Sequence, residues 1–258
     1  MTRQLTLHGL SNIPLIQAGD DLGTIISDAL DHNGLNLEDG DILVLAQKIV
    51  SKSENRQIDL NTITPSQQAI RVAEQSDKNP RLVEVILSES RSIVRLKQGV
   101  IITEHNRGWI MANAGIDASN VECVEGQENI LLLPLDPDAS AAQLKLTLDT
   151  KYQTDVGVII NDSFGRPWRL GTTSVALGAA GLPSLWDRRG DEDLFGRELK
   201  VSQQALADEL ATAASLLQGQ AAEGQPVILL RGFDFGSDRP SANPASTLIR
   251  DPAEDMFR

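Results

Sequence analysis

Val156-Gly157-Val158-Ile159-Ile160 is a β-branched apolar run with no polar alternation, and it breaks off into Asn161-Asp162-Ser163-Phe164-Gly165-Arg166-Pro167-Trp168-Arg169. A strand with no polar face has to be covered on both sides, so this run demands layers above and below it. Ile42-Leu43-Val44-Leu45-Ala46 is a second run of the same type, and Val227 to Leu230 reads as another strand. Shorter strands are expected at Leu5 to Leu10, Val100 to Thr103, Trp109 to Met111 and Ile130 to Leu133, with the turn His105-Asn106-Arg107-Gly108 joining the second and third of these.

Helical spacing fills the intervals. Leu22, Ile25, Ile26 and Leu30 repeat along one face behind a capping Asp20 or Asp21, and Gly34 ends that helix. Thr64-Pro65-Ser66-Gln67 predicts a helix start with Thr64 as cap and Ile70, Val72 and Ala73 on the buried side. A helix is expected over Arg81 to Arg95, one from Pro137-Asp138-Ala139-Ser140 with Leu144 and Leu148 inward, and one through Leu206, Leu210, Ala213, Ala214 and Leu217. The small residues from Gly171 to Gly181 suggest a helix packed closely against a neighbour, a subunit boundary included. Strands and helices in this mixture give an α/β (mixed α+β) fold, and 258 residues can form it as a single domain, 1–258.

A formal net charge of −13 leaves no basic face for a phosphate backbone, which excludes nucleic acid as an expected partner. No apolar run is long enough to span a bilayer and Met1-Thr-Arg-Gln lacks a signal-peptide pattern, so the expectation is a cytoplasmic protein without a membrane partner. Cys123 is the single cysteine and reads as a packing residue. His8, His32 and His105 are scattered and form no zinc-binding pattern. A metal would therefore be held by oxygen, as magnesium, manganese or a large monovalent cation is. Neither a Walker A sequence nor G-x-G-x-x-G is present, so a nucleotide would need another kind of seat.

The residues around the strand ends offer chemistry, each with a plainer reading beside it. Asp162 brings a hard carboxylate, Ser163 a hydroxyl, Gly165 room for close approach, and Arg166 and Arg169 forked cations, or the segment is a capped turn with two surface arginines. Lys48 and Lys52 are solvated helix surface or ammonium groups for a polyphosphate. Asp117 and Asn120 follow the small residues 112–115 and could face a ligand or form an Asx turn. Ile13-Pro14-Leu15-Ile16 is core or the wall of a site for a flat ligand, and Gly219 to Gly224 is a ligand contact or a connection.

Taken together, Ile13 to Ile16, Lys48-Ile-Val-Ser-Lys52, Ala112-Asn-Ala-Gly-Ile-Asp117-Ala-Ser-Asn120, Asn161 to Arg169, Gly219-Gln220 and Asp255-Met-Phe-Arg258 resemble the gamma-glutamyl ligases of the deazaflavin coenzyme F420 along essentially the whole chain. The resemblance implies a two-lobed fold with mixed sheets, assembled as an intertwined homodimer. It implies GTP-dependent addition of L-glutamate to an F420 precursor through an acyl phosphate, with two divalent ions, Mg2+ or Mn2+, and K+. By motif, Asp117 and Asp162 correspond to ligands of one metal and Ser163 and Gln220 to ligands of the other. Ile13, Pro14, Leu15, Ile16, Gln47, Lys52, Asn120 and the loop Gln218, Gly219, Gln220, Ala221, Ala222, Glu223, Gly224, Gln225 fall where the family meets GTP. Gln47 stands where members often have serine and Ser163 where they often have threonine; both keep a polar oxygen. No catalytic base is implied: Glu54, Glu89, Asp208 and Glu209 are carboxylates without an assigned role. A metal-dependent nucleotide phosphohydrolase and a non-catalytic nucleotide-binding protein are the alternatives.

Overall fold

The computed structural model describes residues 3–121, 125–235 and 240–256. Cys123 lies outside them, as do Phe257 and Arg258. The chain begins with β1 (Thr6–Gly9), α1 (Leu22–His32), β2 (Ile42–Ala46), α2 (Gln47–Ser53) and β3 (Gln57–Asp59). There follow α3 (Gln67–Ser76), α4 (Pro80–Ser88), β4 (Ser90–Lys97), β5 (Val100–His105), β6 (Ile110–Ala112) and β7 (Asn129–Leu131). The remainder is α5 (Pro137–Tyr152), β8 (Gly157–Arg166), β9 (Arg169–Ala180), β10 (Trp186–Asp187), β11 (Gln203–Gln204), α6 (Leu206–Gln218) and β12 (Val227–Arg231).

A five-stranded sheet in the order β1-β12-β2-β8-β9 forms the centre, with β2 and β8 parallel and the other neighbours antiparallel. Successive side chains of a strand point to opposite faces, and here both faces are cores. Leu43, Leu45, Val158, Ile160 and Leu229 pack with Ala29 and Leu30 of α1 and Ala141 and Leu148 of α5. Ile42, Val44, Ile159, Ile228 and Leu230 pack with Leu206, Leu210 and Ala214 of α6. This is why the runs 42–45 and 156–160 show no polar alternation. Each such fully buried aliphatic side chain contributes about 1.5–3 kcal/mol.

Residues between α2 and α5 build a second group, α2 itself joining the first core through Ile49 and Val50. The antiparallel sheet β4-β5-β6 packs with α3 and α4 around Ala69, Ala73, Val83, Ile86 and Ile101. The pair β3-β7 surrounds Leu60, Val85, Ile130 and Leu132. Trp109 and Met111 then meet Leu133, Leu177 and Phe164, which joins this group to the central sheet. The class is mixed α+β with several sheets, as the sequence suggests.

Four local expectations change. The helix expected over 81–95 stops at Ser88 and residues 90–97 are a strand. The hydroxyls of Ser88 and Ser90 donate to the carbonyls of Val85 and Ile86 at 2.8 and 2.6 Å, closing the helix end, after which Ile93 and Val94 suit a strand. Thr64 is not the cap of α3: Ser66 is, accepting from the Ala69 N–H at 3.2 Å, and its own N–H donates to Glu84 at 2.7 Å. Residues 171–180 are not a helix but most of β9, and the close contact they permit is with the N-terminus of α5. Finally, β8 does not end at Ile160. The pairing with β9 shifts by one residue between Ile160 and Asn161, a bulge that skips Leu177, and then continues, so Asp162 and Ser163 lie within the strand, opposite Val175 and Ser174.

Candidate active site

The end of β2, the end of β6 and the polar half of β8 converge on one cleft of about 1570 Å³. Segments 13–18 and 218–226 complete its wall. That volume exceeds the roughly 300–1,000 Å³ usual for a single small ligand, so the cleft can hold more than one molecule. Ile102, Ile110, Met111 and Ile116 give it an apolar side, whereas Lys48, Lys52, Arg166 and Arg169 give it cations.

The transition from β2 to α2 needs no loop, and Gln47 is the first helical residue. It is buried, and its Oε1 accepts from Ser51 Oγ one turn later at 2.8 Å. Its Nε2 has no partner among the described residues. Gln47 borders the cleft, with its side-chain amide buried beneath the surface. Lys48 Nζ is 2.9 Å from Asp117 Oδ2, and Lys52 Nζ donates to the Asn120 carbonyl at 2.8 Å.

After β6 the backbone reverses through Asn113, Ala114 and Gly115, whose φ angles are 51, 55 and 69°. This tight left-handed turn costs energy at the two residues that are not glycine. It delivers Asp117, whose N–H and C=O both pair with Leu131 at 3.0 and 2.8 Å and so fix its backbone. Asn120 lies three residues on, and its Nδ2 donates to the Ala221 carbonyl at 3.1 Å, tying the loop 117–120 to the loop 218–225.

Alternation along β8 sends Asn161 and Ser163 toward α6 and its exit loop, and Asp162 the other way. Asn161 and Gln218 exchange two amide hydrogen bonds at 2.8 and 3.1 Å, and Ser163 and Gln220 exchange bonds at 3.1 and 3.0 Å. Burial, reinforced by the charge of Asp117, pushes the Asp162 carboxyl up to about 7; the Ser163 N–H and the Lys48 ammonium oppose that rise.

Among the described residues no group of three or more His, Cys, Asp or Glu is placed to hold a metal. The carboxylates of Asp117 and Asp162, close enough for the charge of one to act on the other, nevertheless suit a hard divalent cation that takes its remaining ligands from water and phosphate, as magnesium does, and the neutral oxygens of Ser163 and Gln220 on the other side of β8 are donors of the same hard type.

The residues singled out in the sequence sort cleanly in space. Ile16 is core and Ile13 packs against it, whereas Pro14 and Leu15 are exposed on the cleft wall, so the two readings of that segment divide between its residues. Gln47, Lys52, Asp117, Asn120, Asp162, Ser163, Gln218, Gly219, Gln220, Ala221, Ala222, Gly224 and Gln225 all line the cleft. Glu223 does not: its carboxylate turns back to accept from the Ala221 N–H at 2.8 Å and fills the space beside Gly219. Glu54 is bonded to Leu135 and Ser140, Glu89 to Arg56, Asp208 to the Ala176 N–H and Glu209 to Gln204. None of these four carboxylates lines the cleft. Asn161, which had no role from sequence, seats Gln218. No local signal in the sequence marked it, because the partner lies 57 positions away on α6.

Residues 11–232 match the family model described as F420-0:Gamma-glutamyl ligase. A Methanothermobacter thermautotrophicus protein named coenzyme F420:L-glutamate ligase is 45% identical over 254 residues, 98% of this chain and 99% of that protein. Proteins of the same name from Methanopyrus kandleri and Methanocaldococcus jannaschii are 46% and 40% identical, covering 94% and 99% of this chain and 93% and 98% of their own lengths. The chain belongs to the F420-0:gamma-glutamyl ligase family.

Proposed function

We propose that this protein joins L-glutamate to the terminal carboxylate of an F420 precursor, consuming GTP and releasing GDP and phosphate. The observation that carries the reading is the meeting of Lys48, Lys52, Asp117, Asp162, Ser163 and Gln220 in one cleft large enough for several substrates. The names of the relatives support a glutamate ligase acting on F420; GTP as the phosphoryl donor is the finer part of the proposal.

A carboxylate does not condense with an amine unaided, because it is a poor electrophile. Transfer of the γ-phosphoryl group to the precursor carboxylate gives an acyl phosphate, and the glutamate amine then displaces phosphate from its carbonyl. In this reading Asp117 and Asp162 hold one divalent ion, Ser163 and Gln220 a second, and K+ assists. Bound Mg2+ or Mn2+ would offset charge on the phosphoryl oxygens. Lys52 would add a cation to the phosphates, while Pro14, Leu15, Gln47, Asn120 and the loop 218–225 would form the nucleotide's seat; that these segments border the cleft supports this assignment. The apolar side formed by Ile102, Ile110 and Met111 suits the flat deazaflavin.

The same reading includes a single domain in two lobes, an intertwined homodimer and a cytoplasmic location. Exposed Trp168 and Leu170 at the β8–β9 hairpin and exposed Leu194 and Phe195 support an assembly that covers them. No helix among the described residues is long and apolar enough to cross a membrane.

Mass spectrometry of a mixture of precursor, L-glutamate, GTP and Mn2+ tests the reaction. The expected product is heavier by one or more glutamyl units, with one GDP released per unit. GTP turnover that ignores glutamate and leaves the precursor mass unchanged would instead establish a phosphohydrolase. Lys52→Ala is expected to weaken GTP binding by about tenfold at low salt and by less at high salt, as a partly screened phosphate contact requires. Calorimetry at two ionic strengths reads both values, and an unchanged affinity returns Lys52 to a purely structural tie with Asn120.

A further inference from the structure

Lys48 Nζ is within 2.9 Å of Asp117 Oδ2 and donates to Ser119 Oγ at 3.1 Å, and that hydroxyl donates to Asp117 Oδ1 at 3.1 Å. An ammonium group therefore sits on the carboxylate that the proposed function gives to a divalent ion, braced by a serine that touches both. The two partners differ in freedom. Asp117 is fixed through its backbone pairing with Leu131, whereas Lys48 reaches it on a flexible four-carbon stem from the first turn of α2. A divalent ion on Asp117 would lie next to the ammonium and repel it, and both side chains are partly exposed, 26% and 30%, so the lysine has somewhere to go.

We propose that Lys48 is a resident counter-cation that neutralises Asp117 in the absence of a divalent ion and yields the carboxylate when a polyphosphate substrate offers its ammonium another partner. Metal and anion then load together, because each removes the obstacle to the other. Metal binding without the anion has to displace the lysine with no compensation. Anion binding without the metal has to draw the lysine off and leave Asp117 and Asp162 facing each other uncompensated. The inference rests on reading Asp117 as a metal ligand.

The test is a Mn2+ titration of the full chain, followed by the paramagnetic resonance signal of free Mn2+, with and without a saturating non-hydrolysable GTP analogue. Without nucleotide, Lys48→Met is expected to bind Mn2+ about three- to fivefold more tightly than the unaltered protein, the scale of one partly exposed ion pair. Lys48→Arg, which keeps the charge, is expected to remain weak. With the analogue present, the advantage of Lys48→Met should vanish or reverse. Ser119→Ala, which removes only the brace, should shift affinity in the same direction by a smaller factor and provides the measurement should Lys48→Met fold poorly. Asp117→Asn identifies the site by abolishing the binding being compared. Equal or weaker Mn2+ affinity for both Lys48→Met and Ser119→Ala, at a site that Asp117→Asn removes, overturns the role of Lys48 and leaves the metal reading intact. Absence of any Mn2+ binding sensitive to Asp117→Asn, with or without nucleotide, overturns both.

Discussion

Asp162→Asn is expected to lower ligation by roughly a thousandfold while making the metal-free protein more stable at neutral pH. The side chain keeps its shape and loses its charge. Ligation falls because the site then has one carboxylate, Asp117, for a cation that needs charged oxygen. Stability rises because burial disfavours the charge on Asp162 when no metal balances it, which is why its carboxyl is pushed up to about 7 from 3.8. Between those two values the folded state binds a proton that the unfolded state has released. The contribution of this group to stability is thus greatest near pH 4, falls as pH rises toward 7, and is flat above. Melting curves in chelator at pH 5 and pH 8 should show a drop that Asp162→Asn reduces. Asp117→Asn should lose turnover to the same extent but gain no stability, since its charge is already paired with Lys48 at 2.9 Å. Near-normal turnover by both variants would remove the carboxylate pair from the mechanism.

That contrast between two carboxylates of one site was not legible in the sequence, and the reason is physical. Strand and helix periodicity report which residues face a core, so the double-sided burial of 42–45 and 156–160 and the inward faces of α1 and α5 could be read directly, whereas of the apolar residues that marked α6, Leu217 is exposed. Residues at strand ends could be marked as candidates by type, and the resemblance placed them in one family. Pairing across 69 positions, as between Lys48 and Asp117, leaves no periodic trace. The exchange of amide bonds between Asn161 and Gln218 is equally silent until α6 is seated on the sheet. Local misreadings arose where two signals competed. Leu82 to Leu87 carry helical spacing into a serine-rich segment whose hydroxyls end the helix, and the small residues of β9 look like a helix contact when read without the strand they belong to.

Gly178→Glu is expected to prevent folding, and the cause lies inside one chain. A Cβ on Gly178 would stand 2.2 Å from the carbonyl carbon and oxygen of Pro137 and 2.6 Å from the Asp138 nitrogen, all backbone atoms that cannot step aside. The contact is held from the other side as well: Asp138 Oδ1 accepts from the Ala179 and Ala245 N–H groups at 2.9 and 2.8 Å, and Oδ2 from Ser246 at 3.2 Å. Relief would require α5 to lift from β9, which opens the core around Ala141 and Leu148 and breaks three hydrogen bonds to a charged group. Even Gly178→Ala should cost about 3 kcal/mol or more, roughly 6–12 °C in melting temperature for a chain of this size. Activity should fall with it, because Gly178 pairs with Ile160 beside the bulge that sets the register of Asp162. Gly165 is the control: a Cβ there meets nothing within 4 Å, and Gly165→Ala should melt near the unaltered protein. The sequence pointed to a subunit boundary at Gly178, but this geometry makes its variants uninformative about assembly. Sedimentation at micromolar concentration addresses that separately, and a folded, active monomer would dispose of the dimer while leaving the seat of α5 on β9 as the reason Gly178 admits no side chain.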